Sequence, residues 1–306
     1  MSAPTTTRPR SLPPAGPRRR RPPEAVGAPL LLGHGRLPRV LAGGALGIFA
    51  LLWVLPFVWT LITSFQRERD ISSPGFNPIK GALTLDAYRQ VFDRGTLPIW
   101  AFNSILTAGL ITLITIVLST LAAYGFSRGT FRGRRALLAV TVASIMVPPQ
   151  LLMVPLFQEM LAFNLVDTYW AIILPQVVAP MMVFILKRFF DAIPRELEEA
   201  ARIDGASDLR VFWSIVLPLS RPIVSAVSVF VFIGAWNNFM WPFIITSDTD
   251  LMTLPVGLAT VEDAYGVAYA QSMAAAVLAA APLIIVFLFF QRRIVKSVAT
   301  TGLGGS

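Results

Sequence analysis

The sequence predicts an all-α, polytopic membrane protein with six transmembrane helices and both termini in the cytoplasm. Hydrophobic residues make up 55% of the 306-residue chain and charged residues only 14%, well below the roughly 25% charged residues of an average soluble domain. Six long stretches contain no lysine or arginine. Most basic residues lie at the two ends of the chain and in alternate segments between those stretches, as the positive-inside rule requires of a membrane protein.

The composition also excludes several kinds of site. The chain has no cysteine and a single histidine, His34. Disulfides, thiol catalysis, cysteine-ligated metal and histidine-cluster metal sites are therefore excluded. We expect no metal site and no cofactor bound by this chain.

The N-terminal segment, residues 1–39, is predicted to be a disordered basic tail. It holds eight arginines and nine prolines but only one acidic residue, Glu24, and such a segment buries too little apolar surface to fold. An arginine-rich tail is compatible with nucleic-acid binding. A basic flank that keeps the N-terminus in the cytoplasm is the favoured interpretation, because an apolar span follows directly.

The first predicted span, Val40–Phe65, carries no charge and is long enough to cross roughly 30 Å of hydrocarbon. It is about twice as long as the apolar region of a signal peptide, so we interpret it as a retained helix. The other five predicted spans are Ala101–Phe126, Ala136–Gln158, Tyr169–Leu186, Pro222–Thr246 and Ala274–Phe290. The membrane domain is accordingly predicted at residues 40–291, with a cytoplasmic C-terminal tail at 292–306.

The orientation of the spans follows from the basic residues. The N-terminal tail, segments 127–135 and 187–221, and the C-terminal tail together hold 21 of the 26 lysines and arginines. The remaining five all lie in segment 66–100, and the loop 247–273 has none. The first group is therefore predicted to be cytoplasmic and loop 247–273 to face outward.

Polar side chains inside the spans are few, and none of the spans contains a mid-membrane Asp, Lys, Arg or His. This pattern argues against a proton- or sodium-coupled pump, which usually needs an ionisable relay. It suits a pathway for a neutral polar solute. Alternatively, the amides join neighbouring helices. The candidate pathway residues are Asn103, Gln150, Gln176, Asn237 and Asn238.

Prolines interrupt several spans, and each removes an intrahelical hydrogen bond. The Pro148-Pro149 pair next to Gln150 is the most marked interruption. Such a break either lines a water-filled cavity or is satisfied by neighbouring helices.

Catalytic motifs are absent from the sequence. There is no GxxxxGK[ST] phosphate loop, no GxSxG nucleophile elbow and no pair of intramembrane acids. We therefore expect no catalytic residues and no ATPase site in this chain.

The segment 193–218 is predicted to form two short helices on the cytoplasmic surface. Pro194 suits a first helical turn, and three glutamates follow it. Gly205 is the expected left-handed stop, and Ser207 is the expected cap of a second helix that runs to about Leu217. A plain solvated loop is the alternative interpretation.

In the same segment Glu199-Ala200-Ala201 is followed at fixed spacing by Gly205, Ile215 and Leu217-Pro218. This pattern resembles the EAA motif of permease subunits in binding-protein-dependent ABC importers, most closely the second permease subunit of carbohydrate importers of the maltose-transporter type. The likeness extends from about residue 40 to the end, whereas the arginine- and proline-rich tail and the ending 297–306 depart from the family. The matching positions are Glu199, Ala200, Ala201, Gly205, Ile215, Leu217 and Pro218. We call 193–218 the EAA loop.

This resemblance implies a permease in the cell membrane that imports a mono- or oligosaccharide. Its implied partners are a homologous second permease, two copies of an ABC ATPase that uses the ATP, and an extracellular solute-binding lipoprotein. The EAA loop would couple the permease to the ATPase, and loop 247–273 would approach the binding protein. A permease for glycerol 3-phosphate or a glycerophosphodiester is the alternative, and a membrane enzyme or channel that acts alone is the rival from another class.

Overall fold

A computed structural model describes residues 36–71, 81–93, 96–260 and 268–303, with the backbone alone at 36–39 and 290–303. The chain divides into two units, Met1–Pro56 and Phe57–Ser306, and the boundary lies within the first helix. The described residues contain helices and no strand. The all-α prediction is therefore confirmed.

Among the described residues, three helices are long and apolar enough to cross a membrane in one piece. They are α1 (Arg36–Ser64), α4 (Leu97–Arg128) and α15 (Tyr269–Leu303). Two short helices, α2 (Glu68–Ile71) and α3 (Asp86–Asp93), lie between α1 and α4 along the chain.

The remaining predicted spans are bent pairs of helices rather than straight rods. The helices between α4 and α15 are α5 (Arg134–Ser144), α6 (Met153–Ala162), α7 (Tyr169–Ile173), α8 (Pro180–Asp191), α9 (Arg195–Ile203), α10 (Asp208–Val211), α11 (Leu217–Leu219), α12 (Arg221–Trp236), α13 (Met240–Ile245) and α14 (Leu254–Thr260). With each bent pair counted as one span, the described residues hold up to six crossings by length and composition.

The span predicted at Ala136–Gln158 is interrupted at its proline pair, as the sequence predicts. Its two halves, Arg134–Ser144 and Pro149–Ala162, meet at an angle of 99°. The break falls at Pro148, where the extended backbone and the missing N–H groups of two consecutive prolines prevent helix propagation.

The span predicted at Tyr169–Leu186 is bent by 47° between Gln176 and Pro180. The carbonyl of Val177 at this bend accepts a hydrogen bond of 3.3 Å from the fully buried Thr115 of α4. A neighbouring helix thus satisfies a backbone group that the break releases, as a membrane interior requires.

The span predicted at Pro222–Thr246 is divided as well. Helix α12 ends at Trp236, and a separate short helix begins at Met240. At its other end α12 follows the segment Asp208–Leu219 at an angle of 79°.

The ends of the chain differ from the predicted boundaries. Helix α1 begins at Arg36, inside the segment predicted to be disordered, and residues 1–35 lie outside the described residues. Helix α15 runs to Leu303 without interruption, so most of the predicted C-terminal tail continues the last span as a helix.

The largest buried cluster joins α4, α8, α12 and the EAA loop. Its fully buried members include Leu186, Phe190, Phe212 and Val216. Burial of such side chains stabilises the packing by about 1.5–3 kcal/mol each. The second half of the EAA loop is therefore part of the core, whereas the sequence had placed it on the surface.

Single-cysteine labelling tests the predicted orientation, because the chain has no native cysteine. Ile203 is 86% exposed in the EAA loop, and Asp250 is exposed in loop 247–273. We expect an impermeant maleimide added to intact cells to label Asp250→Cys and not Ile203→Cys. Labelling of Ile203→Cys from outside would overturn the topology.

Candidate functional site

The first helix of the EAA loop ends in a glycine turn. Gly205 has φ +84°, its N–H donates to the Arg202 carbonyl at 3.0 Å, and the Ala206 N–H donates to the Ala201 carbonyl at 2.9 Å. These two bonds are those of a Schellman motif, which ends a helix at a left-handed residue. The predicted stop at Gly205 is confirmed.

The second helix begins where the sequence predicted. The Ser207 hydroxyl accepts a hydrogen bond of 3.4 Å from the Arg210 N–H. The helix then passes through a π-helical turn, Phe212–Val216, before it reaches Leu217. The N–H of Leu217 bonds to the Phe212 carbonyl, five residues back, and Pro218 supplies no N–H at the next position.

The motif residues divide between an exposed and a packed side. Glu199 and Ala200 are exposed, and Ala201 and Leu217 pack against the large buried cluster. Ile215 and Pro218 are half-buried. The structure thus leaves Glu199 and Ala200 open and attaches the loop through Ala201 and the later positions.

The exposed side of the loop also carries bulky apolar residues. Leu197 is 47% exposed, Ile203 86% and Leu209 65%. Three large apolar side chains and the exposed Glu199 thus lie on the outside of the loop, and such a surface is suited to contact with another protein.

Arg202 joins the two helices of the loop, since its Nη2 lies 3.0 Å from Asp208 Oδ1. Burial acts to lower the pKa of Arg202, but the hydrogen bond and charge of Asp208 outweigh it and raise that pKa. The guanidinium therefore stays charged.

Glu198, next to the motif, is the residue that sequence reasoning missed. Its side chain is 1% exposed, and its Oε1 lies 2.7 Å from Nη2 of Arg128, which is 7% exposed. Glu198 also lies 3.9 Å from Arg202, four residues later in the sequence. No local pattern points to Arg128, because it lies at the end of α4, far from the loop in sequence.

Two of the five predicted pathway amides meet directly. The Asn238 amide donates to Gln176 Oε1 at 2.6 Å, and the Gln176 amide donates to the Ile172 carbonyl at 2.8 Å. Both residues are half-buried and lie at the breaks of two spans. Gln150 and Asn237 are exposed and stand apart from this pair.

Asn103 is held differently from the other amides. It is fully buried, its amide donates to the carbonyls of Asp250 and Met252 at 2.7 and 2.9 Å, and its Oδ1 accepts from the Tyr169 hydroxyl at 2.7 Å. With these bonds Asn103 joins α4 to residues 250–252, which is the helix-joining role that the sequence left open.

Further contacts hold the segment 249–257 to the start of α4. The Trp100 indole donates to the Thr249 carbonyl at 2.7 Å, and the Ser104 hydroxyl accepts from the Leu254 N–H at 2.7 Å. Gly257 lies against the Trp100 ring. This part of loop 247–273 is packed rather than solvated, and residues 261–267 lie outside the described residues.

Comparison with known proteins decides the family. Residues 115–300, which include the EAA loop, match the model of the binding-protein-dependent transport system inner membrane component family. The chain belongs to this family.

Other members of this family are similar over most of the chain. The arabinooligosaccharides transport system permease AraQ of Halalkalibacterium halodurans is 34% identical over 259 residues, 84% of this chain and 93% of that protein. The trehalose/maltose transport system permease MalG of Thermococcus litoralis is 36% identical over 264 residues, 84% of this chain and 94% of that protein. The expected family of inner membrane permease subunits is therefore confirmed.

A solved structure confirms the fold. A chain in the crystal structure of a bacterial ABC transporter involved in import of the acidic polysaccharide alginate matches with a TM-score of 0.77. The match covers 85% of this chain and 98% of that one at 21% sequence identity.

Proposed function

We propose that the chain is one of two permease subunits of a sugar importer, and that a separate ATPase drives it through the EAA loop. The proposal rests on the observation that the EAA loop has an exposed side and a packed side. Its outer side presents Glu199 among exposed apolar residues, and its inner side packs into the core of the spans. A loop that is exposed to a partner on one side and packed against the spans on the other transmits a movement of the partner to the membrane helices.

The proposed composition of the complex is the one that the resemblance to importer permeases implies. A binding-protein-dependent permease works with a solute-binding protein, which we place at the face that carries loop 247–273. A homologous permease completes the pathway, and two ATPase subunits bind and hydrolyse ATP beneath the EAA loops. Alternating access then results from ATPase contacts that differ between two states of the complex.

The proposed substrate class is a mono- or oligosaccharide. The named relatives are permeases for arabinooligosaccharides and for trehalose or maltose. In this chain, Gln176 and Asn238 are paired amides at helix breaks, and amides donate to and accept from sugar hydroxyls. We propose that these two residues line the pathway, with Gln150 and Asn237 beside it.

Reconstituted uptake tests the proposal. Proteoliposomes that contain the complete complex, with ATP inside and the binding protein outside, should accumulate a labelled oligosaccharide. Sugars and glycerol 3-phosphate are offered in parallel to separate the two substrate classes. Uptake of glycerol 3-phosphate alone would overturn the sugar assignment. Uptake without the ATPase would overturn the proposal that a separate ATPase drives import.

Deletion of residues 1–35 should leave uptake nearly unchanged. The matched family region begins well after this segment, and Arg36 and Arg39 remain as cytoplasmic orientation signals. The measurement is uptake normalised to the amount of permease in the membrane. A large loss at normal abundance would assign the tail a role in transport.

A further inference from the structure

The last turn of α4 contacts three separate elements on the cytoplasmic side. Tyr124, Ser127 and Arg128 are spaced i, i+3 and i+4, which places them on one face of the helix. The Tyr124 hydroxyl donates to the Asp208 carbonyl of α10 at 3.3 Å, and the Ser127 hydroxyl donates to Asp191 of α8 at 2.7 Å. Arg128 contacts Glu198 of α9.

The contact of Arg128 is the most buried of the three. Its Nε donates to Glu198 Oε1 at 2.8 Å, and its Nη2 donates to the Ile193 carbonyl at 3.1 Å. Its Nη1 donates to the Ser127 hydroxyl at 2.9 Å. All three guanidinium nitrogens are therefore used, which fixes the plane of the group and with it the direction of the Glu198 carboxylate.

We infer that Arg128 and Glu198 are positioning residues that hold α9 rigidly to α4, so that a displacement of the EAA loop moves the spans instead of bending the loop. The inference rests on the coupling role proposed above. Glu199, the next residue along α9, is exposed, so α9 presents one carboxylate at the surface and holds the preceding one against α4. A buried ion pair tolerates little change in angle, whereas an apolar contact permits sliding.

Substitutions that separate geometry from charge test this role in the complete reconstituted complex. Arg128→Lys retains the charge but loses the planar fork, and Arg67→Lys makes the same change in an exposed pair at 3.8 Å. The double variant Arg128→Met/Glu198→Leu removes both charges, so that neither is left buried and unpaired. The readouts are subunit abundance, stimulated ATP hydrolysis and the number of sugars imported per ATP.

We expect Arg128→Lys and the double variant to assemble and hydrolyse ATP, because the exposed face of α9 is unchanged. Sugars imported per ATP should fall about fivefold or more, the size of a typical coupling effect. Arg67→Lys should retain the ratio of the unmodified complex. If the ion pair served only the fold, these substitutions would lower subunit abundance and leave the number of sugars imported per ATP unchanged.

Two results would overturn the inference. An unchanged import ratio in both Arg128→Lys and the double variant would show that the ion pair does not transmit movement. A loss of abundance in the double variant without a change in ratio would assign the pair to folding alone. Absence of ATP-dependent uptake in the unmodified complex would instead refute the proposed function and the inference with it.

Discussion

Glu199→Lys is expected to abolish sugar uptake while the permease still reaches the membrane. Glu199 is exposed and makes no ion pair within the part of the chain that the structure describes, so its replacement disturbs no internal contact. In the proposed complex its carboxylate meets a basic residue of the ATPase. Loss of a charge partner at an interface costs about 2–5 kcal/mol, roughly a 30-fold or larger loss of affinity.

The neighbouring turn supplies a matched pair of variants. Gly205 has φ +84°, and a Cβ atom there would meet no atom within 4 Å. Gly205→Val and Gly205→Asn therefore differ in how well each tolerates the left-handed backbone, with a penalty of about 1–2 kcal/mol for a residue that disfavours it. We expect Gly205→Val to lower uptake strongly and Gly205→Asn to retain most of it.

Uptake, permease abundance and ATPase co-purification are measured in the same membranes. Glu199→Lys should show normal abundance with loss of ATPase co-purification. Normal uptake in both Glu199→Lys and Gly205→Val would refute the mechanical role of the EAA loop.

Gly257→Ala is expected to destabilise the permease markedly. The added Cβ would lie 2.1 Å from Cδ2 of the Trp100 ring. The ring has little freedom to move away, since the indole N–H is bonded to the Thr249 carbonyl. Overpacking of this kind costs about 1–3 kcal/mol, and it should release the segment 249–257 from α4.

Gly109→Ala in α4 is the matched control. A Cβ at Gly109 meets no atom within 4 Å, and alanine is favoured over glycine inside a helix by about 1 kcal/mol. The thermal unfolding midpoint of the purified permease should fall in Gly257→Ala and should hold or rise in Gly109→Ala. Equal midpoints would show that the contact of Gly257 with Trp100 does not support the fold.

Local features of the fold could be predicted from the sequence because their causes lie within a few residues. Apolar length identified the spans, and Pro194, Gly205 and Ser207 determined where the helices of the EAA loop begin and end. Prolines also indicated where the spans would be interrupted. The size of the bends, such as 99° near Pro148, depends on packing between helices and has no local signature.

Features that depend on distant residues could not be predicted. Glu198 resembled a solvated helix residue in the sequence, and only the fold brings it to Arg128. Asn103 was a candidate pathway residue by composition, but its amide is occupied by carbonyls of residues far along the chain. For Asn103, a polar side chain within an apolar span indicated that a partner exists but did not identify it.

Site-specific photocrosslinking tests the central claim most directly. A photoreactive residue is introduced at Ile203, which is 86% exposed on the EAA loop, and in a parallel variant at Asp250, which is exposed in loop 247–273. If the EAA loop couples the permease to the ATPase, position 203 should crosslink to the ATPase subunit and position 250 should not. ATPase adducts absent from position 203, or formed instead at position 250, would contradict the account.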